Sequence, residues 1–311
     1  MPPKRLPKIG RAREYFNDAD LLPKGTRACP GCPAELSLRT ALRVLGRDTI
    51  VFGGPSCMTT VMIGYGERAT SRGTYVNCLF TNIPSTMTGV YRYYRHIGKE
   101  VKLVAFCGDG AMADASFQVL SGAAERGERL IIICYDNEGY MNTGNQRSGT
   151  TAAGSWTNTS PVGEGMRGKG EKGKYLPLIM AFHGIPYTAT ATVAYLEDYV
   201  QKLTKAMDVR DGMSFIHLLA PCTSGWKAAM DSGIEISRLA VDTNYFPLWE
   251  CERGKFRLTH TVRRPEPIEA YTGMIGKFSH LNKDEIRELQ ELVDARYRFI
   301  RSLVELEPPW R

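Results

Sequence analysis

The stretch from Lys102 to Gln146, KLVAFCGDGAMADASFQVLSGAAERGERLIIICYDNEGYMNTGNQ, limits the possible folds more than any other part of the chain. Residues 103–107 form a short apolar run that ends in Gly108-Asp109-Gly110. Residues 113–126 are rich in helix formers and carry apolar side chains at helical spacing. Residues 130–135 form a continuous β-branched run that ends in Asp136-Asn137-Glu138-Gly139. Short apolar runs separated by a helix predict a parallel βαβ unit. Both polar turns then lie at the carboxyl ends of neighbouring parallel strands, where open α/β sheets bind ligands.

The residue types in those turns suit a diphosphate held through a divalent ion. Asp109 offers a hard carboxylate oxygen, and Asn137 offers an amide oxygen from the neighbouring strand end. Mg²⁺ prefers such oxygens and shares its coordination sphere with substrate phosphates. Gly108 and Gly110 remove side chains where backbone must approach a ligand, and the helix that follows is expected to aim its positive end at the phosphates. The plainer reading is a βαβ unit with ordinary strand-end turns.

At 311 residues and 43% hydrophobic content, the chain can build one large α/β domain with extensions. The net charge of +7 is spread along the chain. That argues poorly for nucleic acid and fits acidic substrates or an acidic protein partner equally well. MPPKRLPKIGRAREYF lacks the apolar segment of a secretory signal, and no apolar run reaches the length of a membrane span. A cytoplasmic protein is expected, with its eight cysteines serving as thiols or metal ligands rather than disulfides.

Three segments are expected: an arm over 1–28 lying on another surface, an α/β domain over 29–235, and an extension over 236–311. Ala28-Cys29-Pro30-Gly31-Cys32-Pro33 opens a helix over 34–45. Such a Cys-x-x-Cys pair could be a redox couple, a zinc knuckle or half of an iron–sulfur site. A strand over 48–52 leads into Gly53-Gly54-Pro55-Ser56-Cys57. A further strand over 74–80 and a helix over 86–96 precede the central unit. Residues 163–174, glycine with alternating charge, read as a solvated loop. Helices are expected over 178–183 and 196–207, with extended chain over 184–191. SFIHLLA, residues 214–220, is a buried strand in which His217 reads as a satisfied core histidine, and it runs into Cys222.

From about Ile236 the alternation stops, and 247–267 suits an extended segment covering another surface. Asn282 and Glu285 form a capping-box pattern. Ile286, Leu289, Leu292, Val293, Tyr297, Ile300, Leu303 and Val304 then mark one face of a long amphipathic helix.

Cys29, Cys32, Cys57 and Cys222 all fall on loops or element ends, whereas Cys78, Cys107 and Cys134 lie in apolar strands as small hydrophobes. Four thiolates suit tetrahedral zinc or a [4Fe–4S] cluster, and the cysteines alone do not choose between them.

Taken together, ACPGC, the strand-end Cys57, the GDG turn, CYDNEGYMNTGNQRSGTT, SWTNTSPVG, HGIPYTATA and SFIHLLAPCTSGW resemble the thiamine diphosphate-binding β subunit of the 2-oxoacid:ferredoxin oxidoreductases, pyruvate or oxalate type. The resemblance spans about Thr26 to Trp226. It departs at Glu138, where the thiamine motif has a second Asn, at Pro33, where the family has Gly, and in AMADAS after the GDG. The resemblance implies a thiamine diphosphate-binding fold, a mostly parallel sheet with helices on both faces. It implies Mg²⁺ on Asp109, Asn137 and the Gly139 carbonyl, and a [4Fe–4S] cluster on Cys29, Cys32, Cys57 and Cys222. It places Asn142 beside thiamine and substrate, and Gly108, Gly110 and Thr143 against the cofactor.

Thiamine would supply the electron sink that decarboxylation of a 2-oxoacid needs, and an iron–sulfur cluster would take the electrons singly. The implied partners are an α subunit bringing the carboxylate that activates thiamine, γ and δ subunits with ferredoxin-like clusters, and external ferredoxin. The implied substrate is pyruvate with coenzyme A, or oxalate without it, in anaerobic metabolism. Rival readings are a non-redox thiamine decarboxylase or carboligase, a Cys₄ zinc interaction protein and a stand-alone electron carrier.

Overall fold

The computed structural model describes residues 11–17, 20–22, 24–63 and 71–306; the first ten residues of the expected arm lie outside them. The chain runs α1 (Pro33–Leu45), β1 (Thr49–Gly53), α2 (Cys57–Ile63), β2 (Thr74–Asn77), α3 (Ile83–His96) and β3 (Lys102–Gly108). A π-helical turn (Gly110–Ala115) precedes α4 (Phe117–Glu125) and β4 (Ile131–Asp136). A two-residue pairing of β5 (Val162–Gly163) with β6 (Met166–Arg167) follows, then α5 (Leu176–Phe182), β7 (Tyr187–Thr192), α6 (Leu196–Asp208) and β8 (Ser214–Leu219). The remainder is α7 (Gly233–Asp242), β9 (Trp249–Glu252), β10 (Lys255–Leu258), α8 (Ile268–Thr272) and α9 (Lys283–Glu305).

Eight strands form one sheet in the order β10-β9-β7-β8-β4-β3-β1-β2. From β7 to β2 every pairing is parallel. Alternate residues of the central strands feed opposite faces: Val104, Phe106, Ile133 and Tyr135 on one, Ala105, Cys107, Ile132 and Cys134 on the other. Helices α1, α2 and α6 cover the first face, and α3, α4 and α5 the second. Burial on both faces explains why these strands read as unbroken apolar runs. Chain order reverses at β1, which has β2 on one side and β3 on the other. Connections therefore leave the ends of β1 and β3 in opposite directions, opening a crevice between the Gly53–Cys57 and Gly108–Gly110 turns.

Several expectations change. The described part of 1–28 packs on this chain's own core through Ala12, Leu21 and Leu22. The segment 247–267 supplies β9 and β10, which extend the sheet antiparallel to β7. Within 163–174, Lys169 is buried, its Nζ donating to the Thr151 carbonyl at 2.6 Å, so that part is not a solvated loop. The helix after the GDG starts as the π-helical turn and does not point a regular α-helical N-terminus at the crevice. On α9 the Asn282–Glu285 capping box is present, and Leu289, Val293, Ile300 and Leu303 are buried. Leu292 and Val304 face solvent instead.

Candidate functional site

Asp109 follows β3 directly and is fully buried. Its Oδ2 accepts hydrogen bonds from Ser148 Oγ at 2.5 Å and Thr150 Oγ1 at 2.9 Å. Thr150 Oγ1 also lies 2.9 Å from Asp136 Oδ1, and its single proton serves only one of the two carboxylates at a time. Burial, with the Asp136 charge added, pushes the Asp109 carboxyl well above the usual range. A nearby cation would reverse that shift.

The Asn137 amide places one terminal atom 2.8 Å from the Gly139 carbonyl oxygen and 3.2 Å from Asp109 Oδ1. With oxygen at that position, three acceptors meet without a donor. With nitrogen there, the amide donates to both. The first arrangement requires a cation and the second substitutes for one. Either way the preferred ligands of Mg²⁺ converge here, and the residues fit the ion.

Beside this point lies a cavity of about 260 Å³ at the crevice between β1 and β3. Gly108, Gly110, Asn137, Gly139, Asn142 and Thr143 line it, with Asp109 behind. Among the described residues no Lys, Arg, His, Asp or Glu lines it. Gly110 is required by packing as much as by any ligand: a Cβ there would stand 2.5 Å from the Tyr140 ring. Ser116 closes the π-helical turn by donating to the Phe80 carbonyl at 2.7 Å, which brings the 78–82 segment against the cavity.

A second cavity of about 110 Å³ is lined by Cys29, Cys32, Cys57 and Cys222, and also by Asn137 and Asn142. Burial raises the thiols of Cys32, Cys57 and Cys222. Cys57 goes up to about 12, burial first, with the charges of Cys222, Cys32 and Cys29 adding to it. Left alone these thiols stay protonated, and ionising them together would take a positive centre among them. No three His, Cys, Asp or Glu side chains of the described residues stand close enough to grip one ion. The four thiols share one small cavity. The four thiols fit a four-thiolate metal centre.

Residues 74–218 match the family model for the C-terminal, thiamine pyrophosphate-binding domain of thiamine pyrophosphate enzymes. The chain is 42% identical over 279 residues to pyruvate synthase subunit PorB of Methanothermobacter marburgensis, covering 89% of this chain and 96% of that one. It is 40% identical over 291 residues to ketoisovalerate oxidoreductase subunit VorB of Pyrococcus horikoshii, covering 91% and 93%. The chain belongs to the β subunits of the 2-oxoacid:ferredoxin oxidoreductases. In fold it is similar to a 2-oxoglutarate:ferredoxin oxidoreductase of Magnetococcus marinus, with a TM-score of 0.55 at 17% identity over 73% of this chain and 80% of that one.

Several residues of this β subunit escape sequence reasoning. Ser148 and Thr150 arrive from a Ser- and Thr-rich stretch without periodicity. Their only sequence signal is their place just after the Asn137 turn. Asp136 is held below the usual carboxylate range although burial opposes this, because His217 Nε2 sits 2.8 Å from its Oδ2. His217 is a buried core histidine, but only its Nε2 is satisfied: its Nδ1 has no partner among the described residues, and the residue lines a separate cavity of about 270 Å³ under α9. Glu138, the departure from the thiamine motif, is buried against Lys277 and Tyr245 of the C-terminal segment, 2.5 and 2.6 Å away. Nothing in the sequence pairs those positions.

Proposed function

We propose that this β subunit holds thiamine diphosphate through Mg²⁺ on Asp109, Asn137 and the Gly139 carbonyl, and a [4Fe–4S] cluster on Cys29, Cys32, Cys57 and Cys222. In its complex it would oxidatively decarboxylate pyruvate, with coenzyme A as acyl acceptor and ferredoxin as one-electron acceptor. The observation that carries this reading is the wall shared by the two cavities. Cys57, Asn137 and Asn142 line both, so a cofactor held in one cavity would have these side chains between it and a cluster held in the other.

Thiamine, when bound, supplies the electron sink for decarboxylation. The residues of this chain do the rest. The Asp109 cluster anchors the diphosphate end. Asn142 offers amide hydrogen-bonding atoms at the boundary of the two cavities. Phe80, Tyr140 and Met141 give the larger cavity apolar walls that exclude water. Those walls, with no cation among the described lining residues, favour a 2-oxoacid with an apolar second group over the oxalate dianion. A carboxylate to activate thiamine would come from a partner subunit, since none of the described lining residues supplies one. The cytoplasm suits eight free cysteines. Among the described residues, no helix is long and apolar enough to cross a membrane.

The test uses the native complex purified without oxygen. Pyruvate with coenzyme A should bleach the visible iron–sulfur absorbance. Oxalate bleaching without coenzyme A would move the substrate assignment, and absence of iron would overturn the cluster.

A further inference from the structure

The loop holding Asn137 and Gly139 and the loop holding Cys222 are joined by contacts that neither cofactor explains. Trp226 Nε1 donates to the Asn137 carbonyl at 2.8 Å, and Asn145 Nδ2 donates to the Gly225 carbonyl at 3.1 Å. The Met141 thioether fills the gap between the loops. A Cβ on Gly225 would meet its sulfur at 2.4 Å, and a Cβ on Gly139 would meet its methyl at 2.9 Å. Over this seam lies Lys277, from the turn before α9, 2% exposed. Its ammonium sits 2.5 Å from Glu138 Oε2 and 3.5 Å from the centre of the Trp226 ring. Its backbone N–H donates to the Trp226 carbonyl at 3.2 Å. Glu138 stands between Asn137 and Gly139 with φ at +56°, a conformation that needs outside support in a residue with a side chain. Its other oxygen accepts from Tyr245 Oη at 2.6 Å.

We propose that Lys277 is a positioning residue: by pairing with Glu138 and stacking on Trp226, it fixes the separation of the Asn137–Gly139 loop from the Cys222 loop. The inference rests on the reading that these loops carry Mg²⁺-thiamine diphosphate and the cluster. The geometry supports it in two ways. Each contact of the ammonium ends on a different loop, so it cannot be kept if the loops move apart. The strained residue it supports lies between the two expected ligands, where a small change in backbone angle would displace the Gly139 carbonyl from Asn137 and Asp109. A long, flexible lysine is immobilised here because its partners are desolvated with it, and such a buried pair gives geometric specificity more readily than net stability.

Removing one partner alone would leave a buried charge, so the test removes both, as Glu138→Gln with Lys277→Met in the assembled complex. Methionine keeps the volume over Trp226, and glutamine keeps an acceptor for Tyr245. Titration calorimetry of the thiamine- and metal-free complex with thiamine diphosphate and Mg²⁺ should show at least a tenfold weaker Kd. At saturating cofactor, reduction of the cluster in a single turnover should slow, with iron content and melting temperature close to wild type. A wild-type Kd together with a wild-type reduction rate would overturn the role of Lys277.

If the double variant does not assemble, Lys277→Arg decides, because it keeps the charge while the planar guanidinium cannot reproduce the compact contact with both Glu138 and the Trp226 ring. It should weaken the same Kd about threefold, and no change would refute the proposal. The wild-type complex serves as the control for the underlying reading. If it shows no Mg²⁺-dependent thiamine binding or no iron, the site assignment fails. Normal wild-type behaviour with unaffected variants removes only Lys277.

Discussion

Asp109 has one oxygen satisfied by two hydroxyls and the other 3.2 Å from the Asn137 amide, which in turn meets the Gly139 carbonyl. That division of labour makes its substitution diagnostic. Asp109→Ala should abolish retention of Mg²⁺ and thiamine diphosphate through desalting, measured by thiochrome fluorescence, while iron content stays at the wild-type level. Iron lost in parallel would mean that the two sites are not separable. Cys222→Ser should damage the visible cluster absorbance and lower electron output by well over tenfold, because a hydroxyl is a poor substitute for a thiolate on iron. An intact cluster spectrum would take Cys222 out of the ligand set. Asp109, Asn137 and the cysteines were legible because the chemistry at a strand end comes from a few residue types next to an obvious apolar run. Ser148, Thr150 and Lys277 were not. They act through the far side of another residue, and linear sequence does not show which residue such a side chain will contact.

Elements differ in legibility for a physical reason. Strands β3, β4 and β8 are buried on both faces and are written as apolar runs. Strands β9 and β10, WECE and KFRL, alternate charge with apolar residues at the sheet edge. They are joined by Arg253 and Gly254 with φ of +49° and +83°, the two positive angles of a type I′ turn without its usual Asn-Gly signature. What pins this edge is Glu250, whose buried carboxylate accepts from Lys205 Nζ at 2.6 Å, Tyr187 Oη at 3.0 Å and Arg257 Nε at 3.0 Å. Burial alone would raise that carboxyl, but the hydrogen bonds outweigh it and hold the group below its ordinary 4.5. A depressed folded value means that the contribution to stability is complete above 4.5 and is lost as pH falls through the folded value. Hydrogen exchange at 249–258 should therefore rise in that acid window before exchange in β3 and β4 does. Glu250→Gln should cost about 1–2 kcal/mol at neutral pH and flatten that acid dependence, read from denaturant midpoints.

At the scale of the whole molecule, the described residues leave the β2 edge of the sheet poorly covered. The edge strand β2 buries none of its residues fully, and α3 leaves Tyr93 60% exposed, with Leu79 nearby at 71%. Phe80, next in sequence, lines the larger cavity, so this bare side continues into the rim of the expected thiamine site. The isolated chain should accordingly bind thiamine diphosphate and Mg²⁺ yet turn over no 2-oxoacid, and activity should return on adding the other subunits. Reconstitution assays with and without those subunits decide this, and turnover by the chain alone would show that the activating acid is its own. The extension over 236–311 was expected from the end of the α/β alternation. Its reach back into the Asn137 turn through Lys277 and Tyr245 shows how much of a site can be built by residues remote in sequence.

The wall common to the two cavities has a consequence for how such a protein can change over generations. Cys57, Asn137 and Asn142 face both compartments, so a substitution in any of them alters both environments at once. Surfaces that touch one compartment only, such as Phe80 and Thr143 on one side and Thr60 and Thr223 on the other, can change one environment without the other. Preference for a new acid would be acquired at Phe80 and its neighbours, and by the partner chains, while the border between the compartments stays as it is.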